Sequence, residues 1–129
     1  MAINTGTATL RFVQDHHLDQ HAAAMGERLM MHLRQLQQKF SCLGDLRGRG
    51  LMVGMEVVDV SSEADPLGSY PPDPELAQRI QGECLKRGLI FELGGRRGGT
   101  IRLLPPLIVT KDDVDRIIEI IGNAVAVSV

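Results

Sequence analysis

Residues 89–107, LIFELGGRRGGTIRLLPPL, contain two short apolar runs separated by a connection of glycine and arginine. The runs LIFEL (89–93) and TIRLL (100–104) have the length and the aliphatic content that favour β-strands. Pro105 and Pro106 end the second run, since proline has no N–H to give to a strand ladder. The stretch therefore predicts two short strands joined by the GGRRGG connection.

Arg102 stands in the middle of the second predicted strand, where Ile101 and Leu103 would face the opposite side of the sheet. Removing an unpaired guanidinium from water is costly, so this arginine needs either a partner or exposure. Its planar fork suits bidentate binding of a carboxylate. The alternative is an edge-strand arginine that extends to water, and the residues taken alone favour this alternative.

Three helices are predicted around this strand pair. Residues 18–40 carry apolar side chains at steps of three and four, which indicates one buried helix face. The segment 73–88 begins with an N-cap aspartate followed by proline, and Gly88 suits its end. The last helix opens with Thr110 and has Asp113 three residues on, a capping-box variant.

A change of character at residues 41–59 predicts a further strand or a hairpin. Glycines recur through this segment, and LMVGMEVV (51–58) is apolar enough for a strand that is buried on at least one side. The predicted order is helix, strand or hairpin, helix, strand, strand, helix. This order fits an α+β fold, a two-layer sandwich in which helices cover one face of a small, mostly antiparallel sheet.

Composition and charge restrict the class of protein. The 129 residues suffice for one domain, and 43% hydrophobic with 23% charged residues is typical of a globular chain. The net charge of −2 and the scarcity of aromatic residues argue against a nucleic-acid partner. No apolar run reaches bilayer length and no secretory signal is recognised, so we expect no membrane partner and a cytoplasmic location. Cys42 and Cys84 lack a CxxC pattern and are expected to be reduced, buried thiols.

Other residue patterns are weak indicators of a site. The glycines of RGRGLMVG (47–54) miss the dinucleotide-binding spacing and favour close backbone packing instead. His16, His17 and His21 include an i, i+4 pair, but no further ligand is suitably placed, so a solvated helix start is favoured over a metal site. The two arginines of the GGRRGG connection, Arg96 and Arg97, indicate either a solvated turn or a binding site for a phosphate or a carboxylate. The three lysines, Lys39, Lys86 and Lys111, all look solvated.

Two longer stretches indicate a particular family: GDLRGRGLMVGMEV (44–57) and KRGLIFELGGRRGGTIRLLPPLIVTKDDVD (86–115). Together they resemble the carboxy-terminal small domain of class III, fold-type-I, pyridoxal-phosphate-dependent aminotransferases, and most closely the diaminobutyrate–2-oxoglutarate branch. The resemblance implies that residues 18–129 form this small domain and that residues 1–17 are left from the junction with a large domain. The chain would then be roughly the last third of an enzyme.

The resemblance also implies a function. The arginine of the family's R-x-x-PPL motif binds the substrate α-carboxylate, and Arg102 occupies that position. The complete enzyme would be a homodimer that exchanges an amino group between L-2,4-diaminobutyrate, or a similar ω-amino acid, and 2-oxoglutarate, with pyridoxal phosphate as cofactor. No catalytic or cofactor-binding residue is expected in this chain, because the family's Schiff-base lysine, its pyridine-binding aspartate and its phosphate-binding residues all lie in the large domain. No metal-binding residue is expected either. The chain alone is therefore expected to be inactive and to expose apolar interface in its 1–40 region.

One alternative comes from a different functional class. A free-standing α+β module could reuse this fold to bind a ligand or a partner without catalysis. Binding of small carboxylates at Arg102 would be compatible with both interpretations.

Overall fold

A computed structural model describes all residues, 1–129. Four helices and four strands make up the chain, in the order α1 (Ala2–Asp15), α2 (Leu18–Lys39), β1 (Leu43–Arg49), β2 (Met52–Val57), α3 (Pro74–Lys86), β3 (Glu92–Gly94), β4 (Thr100–Leu103) and α4 (Lys111–Ser128). A single 3₁₀ turn at Arg96–Gly98 lies between β3 and β4. None of the helices is long and apolar enough to cross a bilayer.

The strands form one antiparallel sheet in the order β1-β2-β4-β3. β1 and β2 form an antiparallel hairpin. Of the two predictions for residues 41–59, a single strand or a hairpin, the hairpin is therefore correct. β4 lies between β2 and β3, with Arg102 opposite Gly54 on one side and opposite Glu92 on the other. The α+β class with a small antiparallel sheet is confirmed.

Helices cover one face of this sheet. Alternate residues of the two central strands point into the core and are almost fully buried: Val53, Met55, Val57, Ile101 and Leu103. Buried side chains of α2, α3 and α4, including Leu29, Ile80 and Ile121, belong to the same apolar cluster. The other face, here called the open face, carries Arg47, Gly54, Glu56, Glu92, Gly94 and Arg102. The two-layer prediction is therefore correct.

The helix caps follow the sequence closely. The Asp73 side chain accepts a hydrogen bond from the Leu76 amide, and Gly88 ends the α3 region with a φ of +84°. Thr110 and Asp113 form both hydrogen bonds of a capping box at the start of α4. A carboxylate at this position is stabilised by the unpaired amides of the first turn, and the pKa of Asp113 is lowered by its hydrogen bonds from Thr110.

One expectation was wrong in detail. The strand expected at 89–93 starts only at Glu92, because the backbone before it forms hydrogen bonds with α3. The Leu89 amide donates to the Cys84 carbonyl, and the Gln81 side chain donates to the Phe91 carbonyl, so these backbone groups do not pair in the sheet. The structure also contains a helix that the predicted order did not include, α1 at Ala2–Asp15.

α1 contributes nothing to the core. None of its residues is buried, and Ile3, Leu10 and Phe12 expose 83%, 66% and 49% of their surface. His17 separates α1 from α2 with a left-handed φ of 50°, which breaks the helical run. The expectation of exposed apolar surface in the 1–40 region is confirmed for this helix.

Deleting residues 1–15 should therefore leave the fold intact. We expect the free energy of unfolding to change by less than about 0.5 kcal/mol, because none of the deleted residues is buried. Chemical denaturation checks this, with Leu33→Ala as a control that should lose about 2–5 kcal/mol from a fully buried site. A loss of control size on deletion would mean that α1 is integral to the domain.

Gly26 is where α2 meets the β1–β2 turn. A Cβ placed on Gly26 would lie 2.2 Å from the carbonyl oxygen of Gly50, itself at a positive φ of 55°. A glycine is therefore required here, because any side chain at position 26 would overlap the turn. Helix and turn pack backbone to backbone at this point.

Alanine at two helical glycines should have opposite effects. Gly26→Ala should destabilise the fold by about 1–3 kcal/mol, because the turn must move away from the helix. Gly82→Ala in α3 should stabilise it by up to about 1 kcal/mol, because its Cβ meets nothing within 4 Å and alanine is the better helix former. Thermal unfolding of both variants would show whether the signs differ.

Candidate functional site

Strand β4 positions Arg102 at the edge of a surface cavity. Its alternation buries Ile101 and Leu103 beneath the sheet and turns the Arg102 side chain to the open face. The chain then leaves the sheet through Pro105 and Pro106. These prolines line a cavity of about 450 Å³ together with Arg102 and mostly apolar side chains. A cationic group thus stands beside an apolar recess.

The Arg102 guanidinium is only loosely paired. Half of the side-chain surface is exposed, and the one carboxylate within ion-pair distance is that of Glu92 on β3. Arg102 Nη1 lies 3.7 Å from Glu92 Oε2, which is beyond hydrogen-bond length. Glu92 is itself 77% exposed, so the pair is weak and screened by solvent. The arginine therefore faces water, as expected for this chain, and retains its donors for a ligand.

Other arginines are firmly engaged. Arg28 donates two hydrogen bonds to Asp115, at 2.7 and 2.8 Å, and this raises the pKa of the guanidinium. Arg47, which shares the open face with Arg102, donates to Asp45 and Glu56. The contrast makes Arg102 the better anion receptor of the two arginines on that face.

Arg96 and Arg97 lie at a different place from Arg102. They occupy the 3₁₀ turn after β3, where Arg97 adopts a left-handed φ of 56°. Both line a second cavity of about 560 Å³, together with the carboxylates of Asp45, Glu56, Glu63 and Asp65. Four carboxylates outnumber the two arginines, so this cavity does not favour an anion. The structure does not bring this pair into one site with Arg102.

The histidines and cysteines serve local structure. His21 Nε2 lies 2.7 Å from the Val109 carbonyl oxygen and ties α2 to the segment before α4. His16 Nδ1 contacts the Phe12 carbonyl oxygen at 2.9 Å. Cys42 and Cys84 are buried as expected, and burial raises the pKa of the Cys84 thiol to about 11. Such a thiol is protonated at neutral pH and is no nucleophile.

The lysines do not approach Arg102. Lys86 pairs with Glu83 at 2.6 Å on the surface of α3, and Lys39 lies 5.3 Å from the centroid of the Phe40 ring. Lys111 is exposed in the first turn of α4. None of the three lines the cavity beside Arg102.

Sequence reasoning identified Arg102 but missed its neighbours. Glu92 and Gly94 reach the site from the adjacent strand, through the register of the β3–β4 hairpin. The GGRRGG connection is symmetric about the Arg96–Arg97 bond, which would place Phe91 opposite Arg102, so the sequence did not indicate the observed register.

Fold and sequence together define the class of protein. The chain belongs to the class III aminotransferases, because the family model for aminotransferase class-III matches residues 1–125. It is 40% identical to the diaminobutyrate–2-oxoglutarate aminotransferase of Haemophilus influenzae over 92% of this chain and 26% of that protein. A protein of the same name from Rhizobium meliloti is 38% identical over 91% of this chain and 25% of its own length.

A solved structure supports the same assignment. An amine transaminase from an uncultivated Pseudomonas species, crystallised in its PLP-bound internal aldimine form, superimposes with a TM-score of 0.81. The two sequences are 28% identical, over 95% of this chain and 26% of the transaminase. The chain spans about a quarter of the length of the relatives it matches, rather than the expected third.

Proposed function

We propose that residues 18–129 act as the small domain of a class III aminotransferase and that residues 1–17 form its junction with a large domain. Within it, Arg102 binds the α-carboxylate of the substrate. The observation that carries this proposal is an arginine on the open face whose guanidinium is loosely paired and borders a cavity. The 450 Å³ cavity is large enough for a small amino acid.

The chemistry of the site suits a carboxylate. A guanidinium presents parallel N–H donors that match the two oxygens of a carboxylate, and such charge-assisted pairs are strong. The apolar wall formed by Leu104, Pro105 and Pro106 lowers the local polarity and so strengthens the interaction. The side chain already stands at the rim, so a ligand need only replace Glu92 and water.

The substrates follow from the relatives. Two of them are named diaminobutyrate–2-oxoglutarate aminotransferases, and this chain is about 40% identical to them. We therefore propose that the complete enzyme transfers an amino group from L-2,4-diaminobutyrate to 2-oxoglutarate, which yields aspartate 4-semialdehyde and glutamate. Both substrates carry a carboxylate that Arg102 can bind. A homodimer in the cytoplasm is part of the same proposal.

Pyridoxal phosphate is the cofactor proposed for the complete enzyme, where it would act as the electron sink of amino transfer. The residues of this chain do not fit this group, because no lysine lines the cavity of Arg102. The task of this domain is therefore to bind and orient the carboxylate. The groups that hold the cofactor would belong to the rest of the enzyme.

The chain alone should be inactive. Incubated with diaminobutyrate, 2-oxoglutarate and pyridoxal phosphate, it should form no glutamate above the level of the cofactor alone. The control is a chimera of the Haemophilus influenzae relative in which the segment matched by this chain is replaced by this chain. The chimera should transaminate; an inactive chimera beside a chain that binds 2-oxoglutarate would favour the non-catalytic module.

Arg102→Ala in this chimera should lower kcat/KM for both substrates by about 10- to 100-fold, because a charge-assisted hydrogen-bond pair is lost. Arg102→Lys should recover only part of the activity, since ammonium keeps the charge without the fork. Arg96→Ala, which removes an exposed arginine of the neighbouring turn, is the matched control and should be silent. Steady-state kinetics in which Arg102→Ala equals Arg96→Ala would refute the anchor role.

A further inference from the structure

We propose that Gly94 is a positioning residue that determines where the Arg102 guanidinium points; this inference rests on the proposed carboxylate-binding function of Arg102. The two residues lie on neighbouring strands. Gly94 pairs with Thr100 in the β3–β4 ladder, so it is the diagonal neighbour of Arg102 on the open face. At this separation a long side chain from one strand can lie across the backbone of the other.

The Arg102 side chain does lie across Gly94. A Cβ built on Gly94 would stand 2.6 Å from Arg102 Cδ, 3.4 Å from Nη1 and 3.6 Å from Nε. The contacts run along the stem and into the guanidinium, so the side chain follows the β3 backbone. The space that a side chain at position 94 would fill is occupied by the arginine itself.

The opposite flank shows no such contact. Gly54 of β2 is the direct partner of Arg102, yet a Cβ there would meet Thr100 Cγ2 at 3.5 Å and the Arg47 carbonyl oxygen at 4.0 Å, both ordinary contacts. Arg102 is not among its neighbours. The arginine therefore leans toward β3, which also carries Glu92 and borders the cavity.

Any side chain at position 94 is therefore expected to displace the Arg102 side chain. A methyl group would push Arg102 Cδ out of its place, and the guanidinium would turn away from Glu92 and the cavity. Neither Gly94 nor Gly54 has a positive φ, so alanine fits both backbones without strain. The two substitutions are therefore matched: each adds one methyl to a strand that flanks Arg102, and only one collides with it.

The first test uses the 129-residue chain with 2-oxoglutarate as the probe. NMR of the unsubstituted chain should show a nuclear Overhauser contact between Arg102 Hδ and Gly94 Hα, and the Arg102 Nε–Hε signal should shift on titration. Gly94→Ala should weaken binding on the order of tenfold, the size of effect that misplacing a binding group produces. Gly54→Ala should change it less than about twofold, because its methyl makes only ordinary contacts. Absence of the Overhauser contact, or equal binding by both variants, would overturn the inference.

The second test separates positioning from general damage. In the chimera, kcat/KM is compared for diaminobutyrate and for 1,3-diaminopropane, the same diamine without the carboxylate. Gly94→Ala should lower the ratio of the two values about tenfold, whereas Gly54→Ala should leave it unchanged. Equal losses on both amines would indicate a structural role and contradict the inference.

Arg102→Ala distinguishes failure of this inference from failure of the proposed function. Unchanged 2-oxoglutarate binding in Arg102→Ala would refute the carboxylate anchor and, with it, the role of Gly94. Lost binding in Arg102→Ala beside full binding in Gly94→Ala would refute only the positioning role. Amide spectra of each variant, compared with those of the unsubstituted chain, establish that the fold is retained.

Discussion

The antiparallel pairing of β2 with β4 is the interaction on which the rest of the structure depends. It places Val53 opposite Leu103 and Met55 opposite Ile101, and all four side chains are buried under the helices. Because side chains alternate along a strand, the same register turns Arg102 to the other face. The core and the candidate site therefore lie on opposite faces of the same pair of strands. A register shift of a single residue would bury the arginine and expose the core.

The helix starts were predictable because their caps are hydrogen bonds between residues that are close in sequence. The caps at Asp73 and at Thr110 with Asp113 depend on side chains that bond to backbone within three residues, so sequence spacing is sufficient to place them. The start of β3 was not predictable in this way. It depends on the side chain of Gln81, which reaches the carbonyl of Phe91 from a helix, and spacing alone does not reveal such a contact.

The site was predictable in its central residue and not in its surroundings. Arg102 is conspicuous as a charge in an apolar run, and the family resemblance gave it a role. Its neighbours depend on the conformation of the β3–β4 connection, where Gly95, Gly98 and Arg97 all have positive φ. Two of these are glycines, which enter that region freely, but an arginine there is unusual. Composition therefore indicated a turn without fixing the register that brings Gly94 to Arg102.

The hydrogen bond between His21 and Val109 has a consequence for the cavity beside Arg102. A carbonyl oxygen can only accept, so His21 must carry a proton on Nε2 to form this bond. The segment that leads from Pro105 and Pro106 into α4 is thus tethered to α2, and this tether holds the proline wall of the cavity against the helical layer.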